Sequence, residues 1–257
     1  MRAEPFDRPP SRSLAAASTR VAVIVPCLNE EATVGRVVRE FRAALPGCEV
    51  YVFDNGSGDG TIAAAGRAGA TVRDEPRPGK GNVVRRMFAD VEADVYVLVD
   101  GDATYDAGAA PAMVAMMLDR GLDMVVAARR GDAEAAYRSG HRLGNAVLTG
   151  FLDRVFGGGF TDVLSGYRVL SRRFVKTFPC LSSGFEIETE MAIHAVTVGL
   201  PFAEVVACYA ARPEGSASKL NTFGDGIRIL RTILTLLRQE RPLAFSAPSR
   251  RSWRPRR

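Results

Sequence analysis

The sequence predicts an α/β protein built on a mostly parallel sheet with helices on both faces. Short runs of strand-forming residues alternate with helical patterns over residues 21–127, and this alternation is typical of a parallel sheet covered on both sides. The chain has 257 residues, of which 47% are hydrophobic and 25% charged. These values are those of a globular protein with a sizeable core.

Strands and helices alternate most clearly in the first half. Strands are predicted over residues 21–26, 49–53, 70–73, 95–99 and 124–127. Helices are predicted over residues 30–44, 79–89 and 109–120, and another begins near Thr61. The turn cluster at 54–60, rich in Gly, Asn, Asp and Ser, separates the second strand from that helix.

The second half is less regular. Residues 141–156 and 223–238 carry apolar residues at helical spacing, residues 185–198 are predicted as a helix, and residues 202–209 as a strand. The apolar side of the last helix consists of Ile227, Leu230, Ile233, Leu234 and Leu237. We expect a disordered arm over residues 1–19, one domain over 20–222, a membrane-associated amphipathic helix over 223–240, and a basic disordered tail over 241–257. Packing of that helix onto the domain is the alternative.

Cysteine spacing, hydropathy and charge restrict the cellular setting. The four cysteines make no CxxC pair, so neither a zinc site nor a disulfide framework is indicated. No leader-like hydrophobic stretch opens the chain, and no apolar run reaches the ~18 residues of a membrane-spanning helix. Much of the net charge of +5 lies in the arginine-rich tail. We expect a cytoplasmic protein, peripheral on the inner face of the cell membrane, with no nucleic-acid partner.

The most informative feature is Asp100-Gly101-Asp102, directly after the apolar strand at 95–99. Ligands of open α/β sheets bind at the carboxyl ends of the strands. Two acids side by side repel unless a cation lies between them, and carboxylate oxygens suit Mg²⁺ or Mn²⁺. The pattern predicts a metal site that holds substrate phosphates, with a solvated turn as the alternative.

Three further motifs are predicted near the same strand ends. Residues 25–31, VPCLNEE, leave a strand and enter a helix whose N-terminus favours anions, although a plain strand-to-helix turn has the same pattern. Asp54 ends the second strand and can accept hydrogen bonds from a base or a ribose, or cap the next turn. Gly79-Lys80-Gly81 brings backbone amides and an ammonium near an anion, without the P-loop spacing.

The order of these blocks, VPCLNEE, VFDNGSGDGT, PGKGNVVRRMF and VLVDGDATY, resembles the family-two glycosyltransferases of the GT-A fold. Downstream, TDVLSGYRVLSRRF, GFEIETEM and RPEGSASKLNTFGDGIRIL look like the polyprenyl-phosphate branch, which includes dolichyl-phosphate mannose and glucose synthases and bacterial relatives. The resemblance implies a Rossmann-like GT-A sheet flanked by helices, which the amphipathic helix predicted above follows at the C-terminal end. It also implies an inverting, metal-dependent hexosyltransferase that moves one sugar from a UDP- or GDP-sugar to a polyprenyl (dolichyl or undecaprenyl) phosphate.

For the donor, the resemblance implies that Asp54 contacts the nucleotide base and that Asp100 and Asp102 hold Mg²⁺ or Mn²⁺ against the diphosphate. The nucleotide-binding residues implied in this way are Pro26, Leu28, Glu30, Asp54, Lys80, Asp100 and Lys219. Ser218, beside Lys219, is a further candidate for a phosphate contact.

For the acceptor, the resemblance implies that Arg168, followed by Arg172 and Arg173, meets the phosphate. A phosphate monoester is largely anionic at pH 7, so it needs positioning by arginines more than it needs a base. Asp102, Arg168 and Glu188 are the predicted catalytic residues. Glu188 is a candidate for sugar binding or general-base work, although acids in the first turn of a helix also suit its dipole.

Some features depart from the family pattern. DGD replaces the more usual DAD or DVD, and the processive QxxRW signature is absent, so a synthase of long polysaccharides is not expected. A Pro- and Arg-rich tail stands where many relatives have membrane-spanning helices. Two alternatives stay open: a soluble glycosyltransferase acting on a small phosphorylated acid such as 3-phosphoglycerate, and a catalytically silent nucleotide- or lipid-binding remnant. The sequence does not decide the sugar or the nucleotide.

Overall fold

The computed structural model describes residues 19–130, 139–213, 219 and 222–242. The strands within them are β1 (Val21–Cys27), β2 (Glu49–Asp54), β3 (Thr71–Asp74), β4 (Val95–Leu98), β5 (Met124–Arg130), β6 (Arg168–Ser171) and β7 (Phe202–Cys208). The helices are α1 (Val34–Ala44), α2 (Thr61–Arg67), α3 (Lys80–Asp90), α4 (Ala110–Arg120), α5 (Ser139–Phe156), α6 (Arg172–Thr177), α7 (Ile187–Val198) and α8 (Thr222–Glu240).

The strands form a single sheet in the order β3-β2-β1-β4-β6-β5-β7. Neighbouring strands are parallel except at β6, which is antiparallel to both β4 and β5. The predicted mostly parallel α/β sheet is therefore confirmed. Because β2, β1 and β4 are adjacent and parallel, their last residues lie along one border of the sheet, called the carboxyl edge below.

All the strands and helices predicted from hydrophobic periodicity are present, with shifted ends. The largest shift at a start is in α1, which begins at Val34 because residues 28–33 form a turn in which Asn29 has φ +51°. β6 and α6 were not predicted. β6 has only four residues and starts with an arginine, so it carries no strand-like alternation of apolar and polar residues.

Apolar side chains pack on both faces of the sheet. On one face, α3, α5 and α7 contribute Met87, Leu152 and Met191, each fully buried. On the other face, α1 and α4 contribute Phe41 and Met113. Burial of strands on both sides accounts for their nearly continuous runs of Val, Ile and Leu.

α8 packs against α5 and α7. Its buried residues include Ile229, Ile233 and Leu236. The apolar side predicted for this helix is divided, because Ile233 is buried whereas Ile227, Leu230 and Leu234 are 60%, 40% and 39% exposed.

Two predictions concern the ends of the chain and the membrane. Most of the predicted N-terminal arm (1–19) and of the basic tail (241–257) lies outside the described residues. Among the residues that are described, no helix has the length and hydropathy needed to cross a bilayer.

Candidate active site

The acids and amines predicted for nucleotide and metal binding meet at the carboxyl edge. Asp54 is the last residue of β2, and Asp100 and Asp102 follow β4. Lys80 is the first residue of α3, and Lys219 reaches the same edge from the chain before α8. Parallel strand ends thus bring together residues that are far apart in sequence.

Asp102 is held rigidly in the turn after β4. It is 3% exposed, and its Oδ1 accepts hydrogen bonds from the Thr104 N–H at 3.2 Å and the Thr104 hydroxyl at 2.6 Å. Its Oδ2 forms an ion pair with Arg212 at 2.6 Å. Burial, and then repulsion from Asp100, raise the pKa of Asp102, although Arg212 and Thr104 oppose the shift. The charged carboxylate therefore depends on a nearby cation.

Asp100 is the more open of the two acids, with its side chain 28% exposed. Its Oδ1 accepts a hydrogen bond from Lys80 Nζ at 2.5 Å. Gly166 lies against the other side of the carboxylate, so closely that a Cβ there would overlap Oδ2 and stand 2.8 Å from Cγ. The Gly166 N–H donates to the Tyr105 hydroxyl at 2.9 Å. Only glycine allows this close approach.

Lys80 is buried between two carboxylates. Its ammonium lies 2.5 Å from Asp100 Oδ1 and 2.5 Å from Glu188 Oε1. Burial alone would lower the pKa of Lys80, but the two carboxylates outweigh it and raise the pKa above its ordinary value. Gly79 precedes it with φ +116°, and a Cβ on Gly79 would overlap the Ser183 carbonyl. The glycine thus lets the loop before α7 close over the start of α3.

The turn between β1 and α1 forms the next wall of the site. Glu30 is buried, and its Oε1 forms an ion pair with Lys219 Nζ at 2.5 Å. The Thr33 hydroxyl bridges this turn to the acid turn, because it lies 2.7 Å from the Gly101 carbonyl and 3.1 Å from Glu30 Oε2. Pro26 and Leu28, predicted to bind the nucleotide, are partly exposed on either side of Cys27.

Asp54 has one carboxylate oxygen with hydrogen-bond partners and one without. Its Oδ2 accepts from the backbone N–H groups of Gly56 at 3.0 Å and Ser57 at 2.9 Å. Its Oδ1 is buried and has no protein donor. A buried carboxylate oxygen without a donor is costly, so this atom is suited to an N–H or O–H group of a ligand.

The three glutamates around the start of α7 have different surroundings. Glu190 accepts hydrogen bonds from the N–H groups of Leu181 and Ser182, both at 2.7 Å, and so holds the preceding loop. Glu186 accepts from the Gly184 N–H at 3.0 Å. Glu188 alone reaches Lys80. Burial raises the pKa of Glu188, repulsion from Asp100 adds to that, and Lys80 opposes both.

Arg168 does not occupy the position predicted for it. Its side chain is fully buried, and its guanidinium donates to the backbone carbonyls of Ser165 at 3.1 Å and Val163 at 2.7 Å. The predicted direct contact between Arg168 and an acceptor phosphate is therefore wrong, because the buried guanidinium cannot reach a ligand. Because the guanidinium holds the loop that contains Gly166, Arg168 instead positions the surroundings of Asp100.

Arg172 and Arg173 lie at the opposite border of the sheet. β6 is antiparallel to β4, so the chain after Arg168 runs away from the carboxyl edge. Arg173 forms an ion pair with Asp123, and Arg172 pairs with Glu92 at 2.7 Å. The predicted acceptor role is therefore wrong for both arginines. Ser218 lies outside the described residues.

Four residues that position the acids were not predicted. Arg212 pairs with Asp102, Thr104 caps the same carboxylate, Thr33 ties the two turns together, and Gly166 makes room for Asp100. Arg212 and Gly166 belong to sequence blocks that were recognised, but no spacing rule links them to the acids.

The donor set at the acid pair suits a hard divalent cation. No cluster of three or more His, Cys, Asp and Glu side chains that could hold a metal occurs in the described ranges. Two carboxylates fit Mg²⁺ or Mn²⁺, which take further ligands from water and substrate phosphates. Such an ion, when bound, would neutralise charge on a diphosphate. The basic side chains around it, Lys80, Arg212 and Lys219, are also suited to phosphate oxygens.

Comparison with known proteins agrees with this architecture. Residues 22–178 match the family model described as Glycosyl transferase family 2. Protein RfbJ of Shigella flexneri is 50% identical over 126 residues, which is 49% of this chain and 98% of RfbJ. Glycosyltransferase AglJ of Haloferax volcanii is 33% identical over 231 residues, which is 88% of this chain and 74% of AglJ.

A solved structure is similar over most of the chain. It is glucosyl-3-phosphoglycerate synthase from Mycobacterium tuberculosis in complex with Mn²⁺, UDP-glucose and phosphoglyceric acid, with a TM-score of 0.69 and 25% sequence identity. The alignment covers 86% of this chain and 80% of the synthase. With its GT-A-like sheet and the family match over most of that sheet, the chain belongs to glycosyltransferase family 2.

Proposed function

We propose that this glycosyltransferase moves one hexose from a nucleoside-diphosphate sugar to a polyprenyl phosphate at a membrane surface. The observation that carries the choice of acceptor is the exposed face of α8. Ile227, Leu230 and Leu234 lie on one side of the helix and are exposed, whereas the neighbouring Ile229, Ile233 and Leu236 pack on the domain. The start of α8 follows Lys219, which belongs to the site.

Residues at the carboxyl edge support a nucleoside-diphosphate sugar as the donor. The unpartnered Asp54 Oδ1 suits a donor group of the nucleotide base. Asp100 and Asp102 are suited to a divalent cation that bridges to the diphosphate. Lys80 and Lys219 are suited to neutralise charge that grows on the departing nucleoside diphosphate. The reaction proposed is a direct, inverting displacement at the anomeric carbon.

The acceptor in this proposal requires no general base. A phosphate monoester has a second pKa of about 6 and is already anionic at pH 7. Positioning, rather than proton removal, would then supply most of the rate enhancement. Neither described acid with a raised pKa, Asp102 or Glu188, is needed as a base, because both face cations.

α8 is suited to lie in the plane of a membrane interface. Its exposed apolar residues are accompanied by Arg228, Arg231 and Arg238, all exposed. Apolar side chains beside arginines are typical of helices that bind anionic bilayers. Several arginines near an anionic surface contribute roughly 1 kcal/mol each. This orientation would keep the carboxyl edge close to a lipid-linked phosphate.

A phosphorylated acid is the second candidate acceptor. The similar structure from Mycobacterium tuberculosis is a glucosyl-3-phosphoglycerate synthase with phosphoglyceric acid bound. At this level of identity the likeness supports a shared fold and leaves the acceptor to experiment. An acceptor of this kind would give α8 no role beyond packing.

The test combines vesicle binding with an acceptor comparison. We would measure co-flotation with phosphatidylglycerol vesicles, and transfer of labelled sugar to polyprenyl phosphate in those vesicles and to 3-phosphoglycerate in solution. The variants are Leu230→Glu on α8 and, as a matched control, Leu118→Glu on α4. Leu118 is 51% exposed on the opposite face of the sheet.

We expect wild type and Leu118→Glu to bind vesicles and to glycosylate the lipid. Leu230→Glu should lose vesicle binding and lipid glycosylation together while retaining its affinity for the nucleotide. Transfer to 3-phosphoglycerate alone, unaffected by either variant, would overturn the lipid acceptor.

A further inference from the structure

Each acid of the pair at the carboxyl edge is already neutralised by a basic side chain of the protein. Asp100 pairs with Lys80 at 2.5 Å, and Asp102 pairs with Arg212 at 2.6 Å. Each contact occupies one carboxylate oxygen of its acid, Oδ1 of Asp100 and Oδ2 of Asp102. A metal ion entering this site alone would have to displace, or lie beside, two positive charges.

Displacing Lys80 and Arg212 from the two acids by a cation is electrostatically unfavourable unless another anion accepts these basic groups. Lys80 is 9% exposed at its side chain, and Arg212 is 31% exposed, so water screens them incompletely. A cation that separated Arg212 from Asp102 would leave a guanidinium close to a dication. A diphosphate changes this balance, because its oxygens can accept hydrogen bonds from both basic groups and leave the carboxylate oxygens to the metal.

We propose that Lys80 and Arg212 act as internal counter-ions that hold the acid pair in the absence of substrate, so that metal and nucleoside diphosphate bind with strong positive coupling. This inference rests on the proposed function in one respect: a nucleoside diphosphate is the leaving group of the sugar donor. Binding of metal and diphosphate together would exchange these partners: Asp100 and Asp102 would hold the metal, and Lys80 and Arg212 would hold the diphosphate.

Glu188 keeps Lys80 in place during this exchange. Lys80 lies 2.5 Å from Glu188 Oε1 as well as from Asp100. If Asp100 bound a metal ion instead of Lys80, the lysine would keep one buried carboxylate, Glu188, as its partner and would stay in the site. Glu188 is thus a positioning residue that acts through Lys80.

The experiment measures Mn²⁺ affinity by electron paramagnetic resonance of free Mn²⁺, with Mn²⁺ alone and with Mn²⁺ plus UDP or GDP. The central variant is Arg212→Met, which removes the charge at a partly exposed position, and Arg212→Lys restores it. Arg173→Met is the matched control, because it removes an arginine–aspartate pair at the opposite border of the sheet. Lys80→Met tests the second counter-ion.

We expect wild type and Arg173→Met to bind Mn²⁺ weakly alone and much more tightly with the nucleotide. Arg212→Met should bind Mn²⁺ alone at least about tenfold more tightly than wild type, since ~1.4 kcal/mol corresponds to tenfold. The factor by which the nucleotide increases its Mn²⁺ affinity should fall. Because coupling between two sites is reciprocal, the factor by which Mn²⁺ increases its nucleotide affinity should fall equally. Lys80→Met should behave similarly, and Arg212→Lys should resemble wild type.

Unchanged or weaker binding of Mn²⁺ alone by folded Arg212→Met would overturn the counter-ion proposal, whatever the nucleotide does. Absence of sugar transfer with the expected Mn²⁺ data would instead count against the proposed function and leave the counter-ions in place. The two failures are therefore distinguishable.

Discussion

Gly166→Ala is expected to inactivate the enzyme with little loss of stability. A Cβ at this position would stand 2.8 Å from Asp100 Cγ, whereas carbon atoms are most favourably spaced at about 3.5–4.0 Å. The Asp100 carboxylate would have to retreat by about 1 Å. A misplacement of that size in a reacting site costs on the order of 100-fold in rate. Gly166 has no positive φ, so alanine adds no backbone strain.

The assay is kcat/KM for sugar transfer, together with the midpoint of thermal unfolding. Asp100 is partly open to solvent and can turn outward, so the stability cost should lie near the lower end of the ~1–3 kcal/mol typical of overpacking. Gly150→Ala in α5 is the control, because a Cβ there meets open space. That variant should keep full activity and gain roughly 0.5–1 kcal/mol of helix stability. Full activity in folded Gly166→Ala would refute the claim that Asp100 must lie where the structure has it.

Three further predictions concern positioning, pH and packing. Tyr105→Phe removes the acceptor of the Gly166 N–H, and a buried unpaired N–H costs ~1–3 kcal/mol. Calorimetry should therefore show a lower Tm, and kinetics a fall in kcat/KM of about tenfold. An unchanged Tm would contradict this prediction. Burial lowers the pKa of His194 from its ordinary 6.5, so below that pH the unfolded chain binds more protons than the folded chain. Urea titrations should show the free energy of unfolding falling as the pH drops below 6.5. His194→Gln should remove this pH dependence. Ile233→Ala should cost ~2–5 kcal/mol in urea unfolding because Ile233 is fully buried, whereas Ile227→Ala should stay within about 0.5 kcal/mol; equal effects would contradict the packing of α8.

Hydrophobic periodicity accounts for most of the fold, because runs of valine and helical spacing are local properties of the chain. β6 could not be predicted in this way. Its first residue, Arg168, is fully buried although it is charged, and the carbonyls of Ser165 and Val163 accept hydrogen bonds from its guanidinium. The antiparallel direction of β6 also depends on its neighbours β4 and β5, which periodicity does not describe.

The site shows the same division between local and long-range information. Asp54 and Asp100 could be predicted to share an edge, since each ends or follows a strand of one parallel sheet. Arg212 and Gly166 reach the acids through tertiary contacts that no local spacing records. The error at Arg172 and Arg173 has a similar origin, because the direction of β6 decides which border of the sheet they occupy.

α8 illustrates what helical spacing leaves open. The sequence places Ile227 and Ile233 on one apolar side, but the structure buries Ile233 against the domain and exposes Ile227. Spacing determines which residues share a face, whereas the neighbouring helices α5 and α7 determine which part of that face is covered. The exposed part is what supports a membrane-bound acceptor.

The most direct test of the central claim is transfer of radiolabelled sugar from UDP- and GDP-sugars to a short-chain polyprenyl phosphate with Mn²⁺, compared between wild type and Asp102→Asn. We expect label in the organic phase with wild type and one nucleotide sugar, loss of that label without metal, and at least about a 100-fold lower rate with Asp102→Asn. Label that never enters the organic phase, or that enters it equally with folded Asp102→Asn, would contradict the account.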